Sequence, residues 1–196
     1  MKIALLSNKG GTGKTSLAVN VAGALSERGS VLLVDGDVTR SALHWTERGK
    51  MPFRCVSERQ APKFWRDYQH AIIDTGARPS ADDIRDLAEI CDLLLVVSSP
   101  DALALDALTP AIETLQQIEA RAWAIVLTMV NPISRAGEEA RAAIIEAGWP
   151  ILDGQVRRYA AYARAALEGV LVRDVKDPHA GDAWADIRAI AEEIGK

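Results

Sequence analysis

Cysteine is nearly missing from this sequence: among 196 residues only Cys55 and Cys91 occur, with neither metal-ligand nor short redox spacing between them. A disulfide framework or a thiolate metal centre is therefore not expected, and Cys91, directly before an apolar run, reads as a buried thiol. No uninterrupted apolar stretch approaches the roughly 18 residues of a membrane span. The chain also enters a strand at once, without the charged and apolar regions of a signal peptide. A cytoplasmic protein with no stable membrane association is the expectation. Positive charge is not in excess either. The 23 Lys and Arg are outnumbered by 27 Asp and Glu, for a net charge of -4, so any nucleic-acid surface has to be a local patch. Internal repeats, low-complexity tracts and Ser/Gly-rich linkers are also missing, which leaves residues 1–196 as one folded domain.

What the sequence does contain is an alternation. Apolar runs of strand length occur at Ile3-Leu6, Val31-Val34, Ala71-Ile73, Leu93-Val97 and Ala124-Leu127, rich in Ile, Val and Leu without polar alternation. Such strands are buried on both faces, as in a parallel sheet. Between them, Ser16-Arg28, Ala81-Ile90, Leu103-Ile118 and Glu138-Ala147 have helical periodicity. Strand and helix in turn predict an α/β fold, a single doubly wound, mostly parallel sheet flanked by helices. Ala183, Trp184, Ile187, Ile190, Ala191 and Ile194 predict a closing amphipathic helix. Its polar face carries Asp182, Asp186, Glu192 and Glu193, where a membrane-surface anchor is normally rich in Lys and Arg, so core packing is the favoured reading.

Between the first strand and the first helix lies Lys9-Gly10-Gly11-Thr12-Gly13-Lys14-Thr15, followed by Ser16. Asn8 stands where an ordinary phosphate-binding loop has its first glycine, yet the chemistry is complete. The glycines permit turns that aim backbone N–H groups inward, and the helix beginning near Gly13 adds its positive end. Lys14 is placed to reach β- and γ-phosphates, and Thr15 to offer its hydroxyl to Mg2+. Lys9, at the loop entrance, cannot easily reach its own phosphate from behind, which suits it to nucleotide held across a subunit boundary.

The seven residues Lys9 to Thr15 resemble the deviant Walker A box of the ParA/MinD superfamily, and the resemblance extends along nearly the whole chain. It implies a P-loop ATPase, ATP and Mg2+ as cofactors, and a homodimer bridged by ATP in which Lys9, as the signature lysine, touches the partner's nucleotide. The strand Val31-Val34 runs into Asp35-Gly36-Asp37, on the edge where open parallel sheets bind ligands. By the resemblance, Asp37 orients or activates the attacking water and Asp35 lies nearer the magnesium shell; a carboxylate is the acceptor such a water needs. The family commonly continues Asp-Pro-Gln, whereas here the sequence is Asp37-Val38-Thr39. Ala71-Ile72-Ile73-Asp74-Thr75 resembles the Walker B strand, which implies that Asp74 holds a magnesium-bound water and that Thr75-Gly76-Ala77 senses the γ-phosphate. Lys9, Lys14 and Asp37 are thus the implied catalytic residues, and Thr15, Asp35 and Asp74 the implied metal site.

After the strand ending at Leu127, Thr128-Met129-Val130-Asn131-Pro132 falls where the family lines its adenine pocket. Asn131 is a candidate for the base edge and Met129 or Pro132 for its face, with plain Asn-Pro turn chemistry as the alternative. The segment from Val156 to Gly169 resembles the family's late helix, with Arg157, Arg158 and Arg164 as candidate contacts to DNA phosphates and Arg157 and Arg164 on one helical face. Residues 157–196 hold seven basic and seven acidic side chains, so a charge-balanced solvated helix competes with that reading.

The implied function is DNA segregation: an ATP-closed dimer binds DNA nonspecifically at the nucleoid, and a centromere-binding adaptor stimulates slow hydrolysis and release. With the loop beginning within the first ten residues, the expectation is the compact sort that lacks an N-terminal DNA-binding domain. The alternatives are a positioning ATPase for another cargo, an ATP-dependent biosynthetic ligase of the same fold, and a nucleotide sensor with negligible turnover. An electron-transfer ATPase would need a pair of cluster-holding cysteines, which Cys55 and Cys91 do not resemble.

Overall fold

The computed structural model describes residues 1–195. In chain order its elements are β1 (Lys2–Leu6), α1 (Lys14–Leu25), β2 (Val31–Gly36), α2 (Ser41–Glu47), β3 (Arg54–Ser57), a 3-10 turn (Ala61–Lys63), β4 (His70–Thr75), α3 (Ala81–Ile90) and β5 (Leu93–Ser98). They continue with α4 (Ala102–Asp106), α5 (Thr109–Gln117), β6 (Trp123–Val130), α6 (Ala136–Glu146), β7 (Ile151–Arg157), α7 (Ala160–Glu168), a second 3-10 turn (Val172–Asp174) and α8 (Ala180–Glu193).

The sheet has seven strands in the order β3-β2-β4-β1-β5-β6-β7, and every neighbouring pair is parallel. Strand β1 shows why its residues are apolar without interruption: Ile3 and Leu5 enter one core, Ala4 and Leu6 the other. The first core is closed by α1, α2, α7 and α8, and the second by α3, α5 and α6. α8 buries Ala183, Ile187, Ile190 and Ala191 against α1 and β7, as its spacing predicts. No helix is long and apolar enough to cross a membrane among the described residues.

Three local expectations change. Leu103-Ile118 forms two helices, because Pro110 occupies the first turn of α5, where its missing N–H is tolerated but continuation from α4 is not. β3 and β7 are additional strands at the two edges. The third change concerns the late helix. Arg157 ends β7, in register with Val130, the Arg158 N–H donates to the Val130 carbonyl at 2.8 Å, and Tyr159 is still extended (φ -125, ψ 146), so the chain keeps strand geometry past the two arginines. Helix α7 begins at Ala160, and Arg157 and Arg164 do not share a helical face.

Candidate nucleotide site

β1 lies at the centre of the sheet, with the chain passing first to β2 on one side and later to β5 on the other, so a crevice opens at the C-terminal strand ends. Gly11 (φ 79) and Gly13 (φ 80) adopt left-handed conformations there, and Gly13 is the N-cap of α1 with no side chain closing the first turn. The loop is braced from below. The Ser7 hydroxyl lies 2.9 Å from that of Thr12, and Thr128, from β6, donates to the Thr12 carbonyl. A cleft of about 560 Å³ results, lined by Lys9 to Ser16 together with Asp37, Thr39, Ser41, Trp45, Arg48 and Ala77.

Lys14 and Asp74 form a buried ion pair at the floor of this cleft. The Lys14 Nζ donates to Asp74 Oδ1 at 2.7 Å and also to the Thr75 carbonyl, while Thr15 Oγ1 donates to Asp74 Oδ2 at 2.7 Å. Asp74 is fully buried, and burial pushes its carboxyl above the usual range although Lys14 and Thr15 pull the other way. Asp35 stands beside it, in register across β2 and β4. Its oxygens accept the Asp37 N–H at 3.1 Å and the Leu43 N–H at 2.9 Å, which fixes the turn between β2 and α2.

Asp37 is held by one oxygen. Oδ1 accepts both the N–H and the hydroxyl of Thr39, each at 2.8 Å, and the Thr39 hydroxyl lies 2.9 Å from that of Ser41. Burial raises the Asp37 carboxyl, but the two Thr39 donors and the charge of Lys14 outweigh it and leave the group below the usual carboxylate range.

At the mouth of the cleft Lys9 turns aside: its Nζ donates to Asp101 Oδ1 at 2.8 Å. Asp101 is the N-cap of α4 and also accepts the Ala104 N–H at 3.0 Å. Met129 (φ 55) approaches the loop, with its Cγ and Sδ 3.7 Å from the position a Cβ on Gly13 would take. Asn131 and Pro132 are exposed beyond it, and Asn131 Oδ1 accepts the Ile133 N–H at 3.1 Å, so the turn chemistry is present whatever else the residue does.

The structure thus gathers Lys9, the glycines, Lys14, Thr15, Ser16 and Asp37 at one cleft, with Asp74 bonded to Lys14 and Thr15 beneath it and Asp35 in register beside Asp74. Asp101, Thr39, Ser41 and Thr128 also belong to it, though the sequence reading did not single them out for it. Only Asp101 carried a signal, its place before a helix as a capping residue. The arginines proposed for DNA lie apart from the cleft. The guanidinium of Arg157 donates to both oxygens of Asp186, at 2.8 to 3.1 Å, and Arg164 lies 3.4 Å from Asp177. Arg158 is exposed. Both thiols are partly buried, and desolvation pushes Cys55 and Cys91 to about 12, which favours the protonated thiol over the nucleophilic thiolate at neutral pH.

Residues 3–172 match the CobQ/CobB/MinD/ParA nucleotide binding domain. A maintenance of carboxysome distribution protein A from Gloeobacter kilaueensis is 32% identical over 203 residues, spanning 99% of this chain and 94% of its own length. The Protein ParA of Rhizobium radiobacter is 27% identical over 178 residues, covering 82% of this chain and 80% of that one. Among solved structures, the septum site-determining protein MinD from Pyrococcus horikoshii, complexed with Mg-ADP, superposes with a TM-score of 0.75 over 100% of this chain and 96% of that chain, at 20% identity. The seven-stranded parallel sheet, the loop at its switch point and a family match over most of its length together assign this chain to the CobQ/CobB/MinD/ParA family of nucleotide-binding proteins.

Proposed function

We propose that the chain is an ATPase that pairs with a second copy when ATP is bound, associates nonspecifically with DNA and distributes a large cargo through an adaptor protein. The observation that carries this reading is Lys9. Its ammonium lies at the mouth of the phosphate cleft, 2.8 Å from Asp101, while Lys14 already serves the cleft floor. A second cation in that place suits phosphates held by another copy.

The residues fit Mg-ATP. A hydroxyl from Thr15 and carboxylates from Asp35 and Asp74 form the hard-oxygen set that Mg2+ takes alongside phosphates and water. When bound, the ion offsets negative charge on the β- and γ-oxygens. Lys14 has to leave Asp74 and the Thr75 carbonyl to meet those phosphates, so the adjoining Gly76 and Ala77 register nucleotide occupancy. Asp37, with Oδ1 held by Thr39, has Oδ2 left to accept a proton of the attacking water.

Distribution of a protein assembly is favoured for the cargo by the 32% identity to a carboxysome distribution protein. Partition of a plasmid or chromosome with a centromere-binding adaptor is the second reading, favoured by the 27% identity to Protein ParA. In either case the working place is the cytoplasm, at the nucleoid in the ATP-bound form.

Light scattering of wild type, Lys9→Ala and Asp37→Ala with and without Mg-ATP tests the reading. Wild type and Asp37→Ala should pair with ATP, Lys9→Ala should stay single, and Asp37→Ala should hydrolyse roughly a hundredfold more slowly. Pairing by Lys9→Ala, or a normal rate in Asp37→Ala, would overturn these assignments.

A further inference from the structure

Charge is distributed very unevenly in this molecule. Residues 40–66 contain seven Lys or Arg and two Asp or Glu, a net of +5 in a chain whose total is -4, so the remainder carries -9. This segment wraps the edge strand β3, with α2 before it and the 3-10 turn Ala61–Lys63 after it. Arg40, Arg48 and Lys50 lie on the α2 side, and Arg54, Arg59, Lys63 and Arg66 along the strand and beyond. All seven are exposed, and among the described residues none forms an ion pair. Arg54 is held flat, its guanidinium carbon 3.7 Å from the centre of the Phe64 ring. Arg40 and Arg59 line one cleft with Asp37 and Val38, so the positive strip reaches the rim of the nucleotide site.

Arg48 donates to the Ala166 carbonyl at 3.0 Å, and no carboxylate offsets any of the seven; cations so close together repel one another and persist most readily where an anionic partner shares the surface. We infer that the β3 edge is the surface through which this protein holds the phosphate backbone of DNA. The inference rests on the proposed function, and it moves the contact away from the late arginines. Arg157 and Arg164 are matched by Asp186 and Asp177, so of the three late arginines only Arg158 is without an ion pair among the described residues. The chemistry of the strip favours nucleic acid over a bilayer. Five of the seven are Arg, whose planar fork matches phosphate. No large exposed apolar side chain falls within residues 40–66 to enter a membrane. Arg48 lines the nucleotide cleft and Arg40 and Arg59 the cleft beside it, whereas Lys50, Arg54, Lys63 and Arg66 lie outside both, in a row that suits successive phosphates.

The test is DNA binding by the full chain with Mg-ATP, read by fluorescence anisotropy on two duplexes of unrelated sequence across a NaCl series. Wild type is compared with the triple variant Lys50→Ala/Lys63→Ala/Arg66→Ala and with Arg158→Ala; labelled-ATP binding and melting temperature show that the variants are folded. The triple variant should bind both duplexes at least tenfold more weakly, and the slope of log affinity against log salt should shrink by about 3, one unit for each lost phosphate contact. Unchanged affinity and slope in the triple variant would overturn the inference, and loss confined to Arg158→Ala would return the surface to the β7–α7 turn. Loss of binding to phosphatidylglycerol vesicles without loss on DNA would assign the strip to anionic lipid instead. A wild type that binds neither duplex refutes the DNA part of the proposed function, and the inference with it.

Discussion

Thr39 stands where the family commonly has glutamine, and its two donors decide how Asp37 behaves. They favour the ionised carboxylate, and so hold its pKa down. Removing the hydroxyl in Thr39→Val leaves only the backbone donor, so the Asp37 pKa rises. In the proposed role of Asp37 the ionised form accepts a proton from water, so the acid limb of the ATPase pH profile should move to higher pH in Thr39→Val and stay in place in Thr39→Ser. An unmoved limb would show that Thr39 does not set the charge on Asp37. At this scale the sequence was most legible where the chemistry is contiguous: Lys9 to Thr15, Asp35 with Asp37, and Asp74 can each be read from a few neighbouring residues. Asp101 cannot, since it meets Lys9 across 92 positions of the chain, and Thr128 meets Thr12 across 116. No local pattern records such pairs.

Two helix ends carry predictions at the scale of elements. α3 begins with a full capping box, in which Ser80 accepts the Asp83 N–H and Asp83 accepts the Ser80 N–H and hydroxyl. Ser80→Ala should cost about 1 kcal/mol in chemical denaturation. The Ser80 hydroxyl and N–H depress the Asp83 carboxyl, so their contribution is present above the unfolded carboxylate range and disappears as pH falls through the lower folded value. The wild-type advantage over Ser80→Ala should therefore fade in acid. α7 ends at Gly169 (φ 70), where a Cβ would lie 2.8 Å from the Gly49 nitrogen and 2.7 Å from the Arg48 carbonyl carbon. Gly169→Ala should lower stability by roughly 2 kcal/mol or more, through left-handed strain and forced separation of the two backbones. The central strands were legible because both faces are buried and both faces are apolar. β3 and β7 were not, since edge strands mix exposed and buried positions, as the polar Asp153 and Gln155 within β7 show.

For the molecule as a whole, the doubly wound sheet followed from the alternation of elements, but the charge separation between the β3 edge and the rest did not follow from a net charge of -4. Nucleotide binding should raise the melting temperature with the logarithm of free nucleotide concentration above Kd, and Lys14→Ala should remove that response. The same substitution strands Asp74, which is fully buried, and should lower stability by about 3 to 5 kcal/mol. Adding Asp74→Asn should recover part of the melting temperature and none of the nucleotide response, so calorimetry of the two variants separates folding from binding. A double variant as unstable as Lys14→Ala would show that the buried charge is not the cause. The Lys9–Asp101 pair bears on the proposed recognition between copies. While that pair is closed, empty molecules that collide present one another with a neutralised contact in place of a bare cation. Under the proposed pairing, crowding alone then gives no reason to assemble: the trigger would be occupancy, and a cell could hold a large idle stock without spurious pairing.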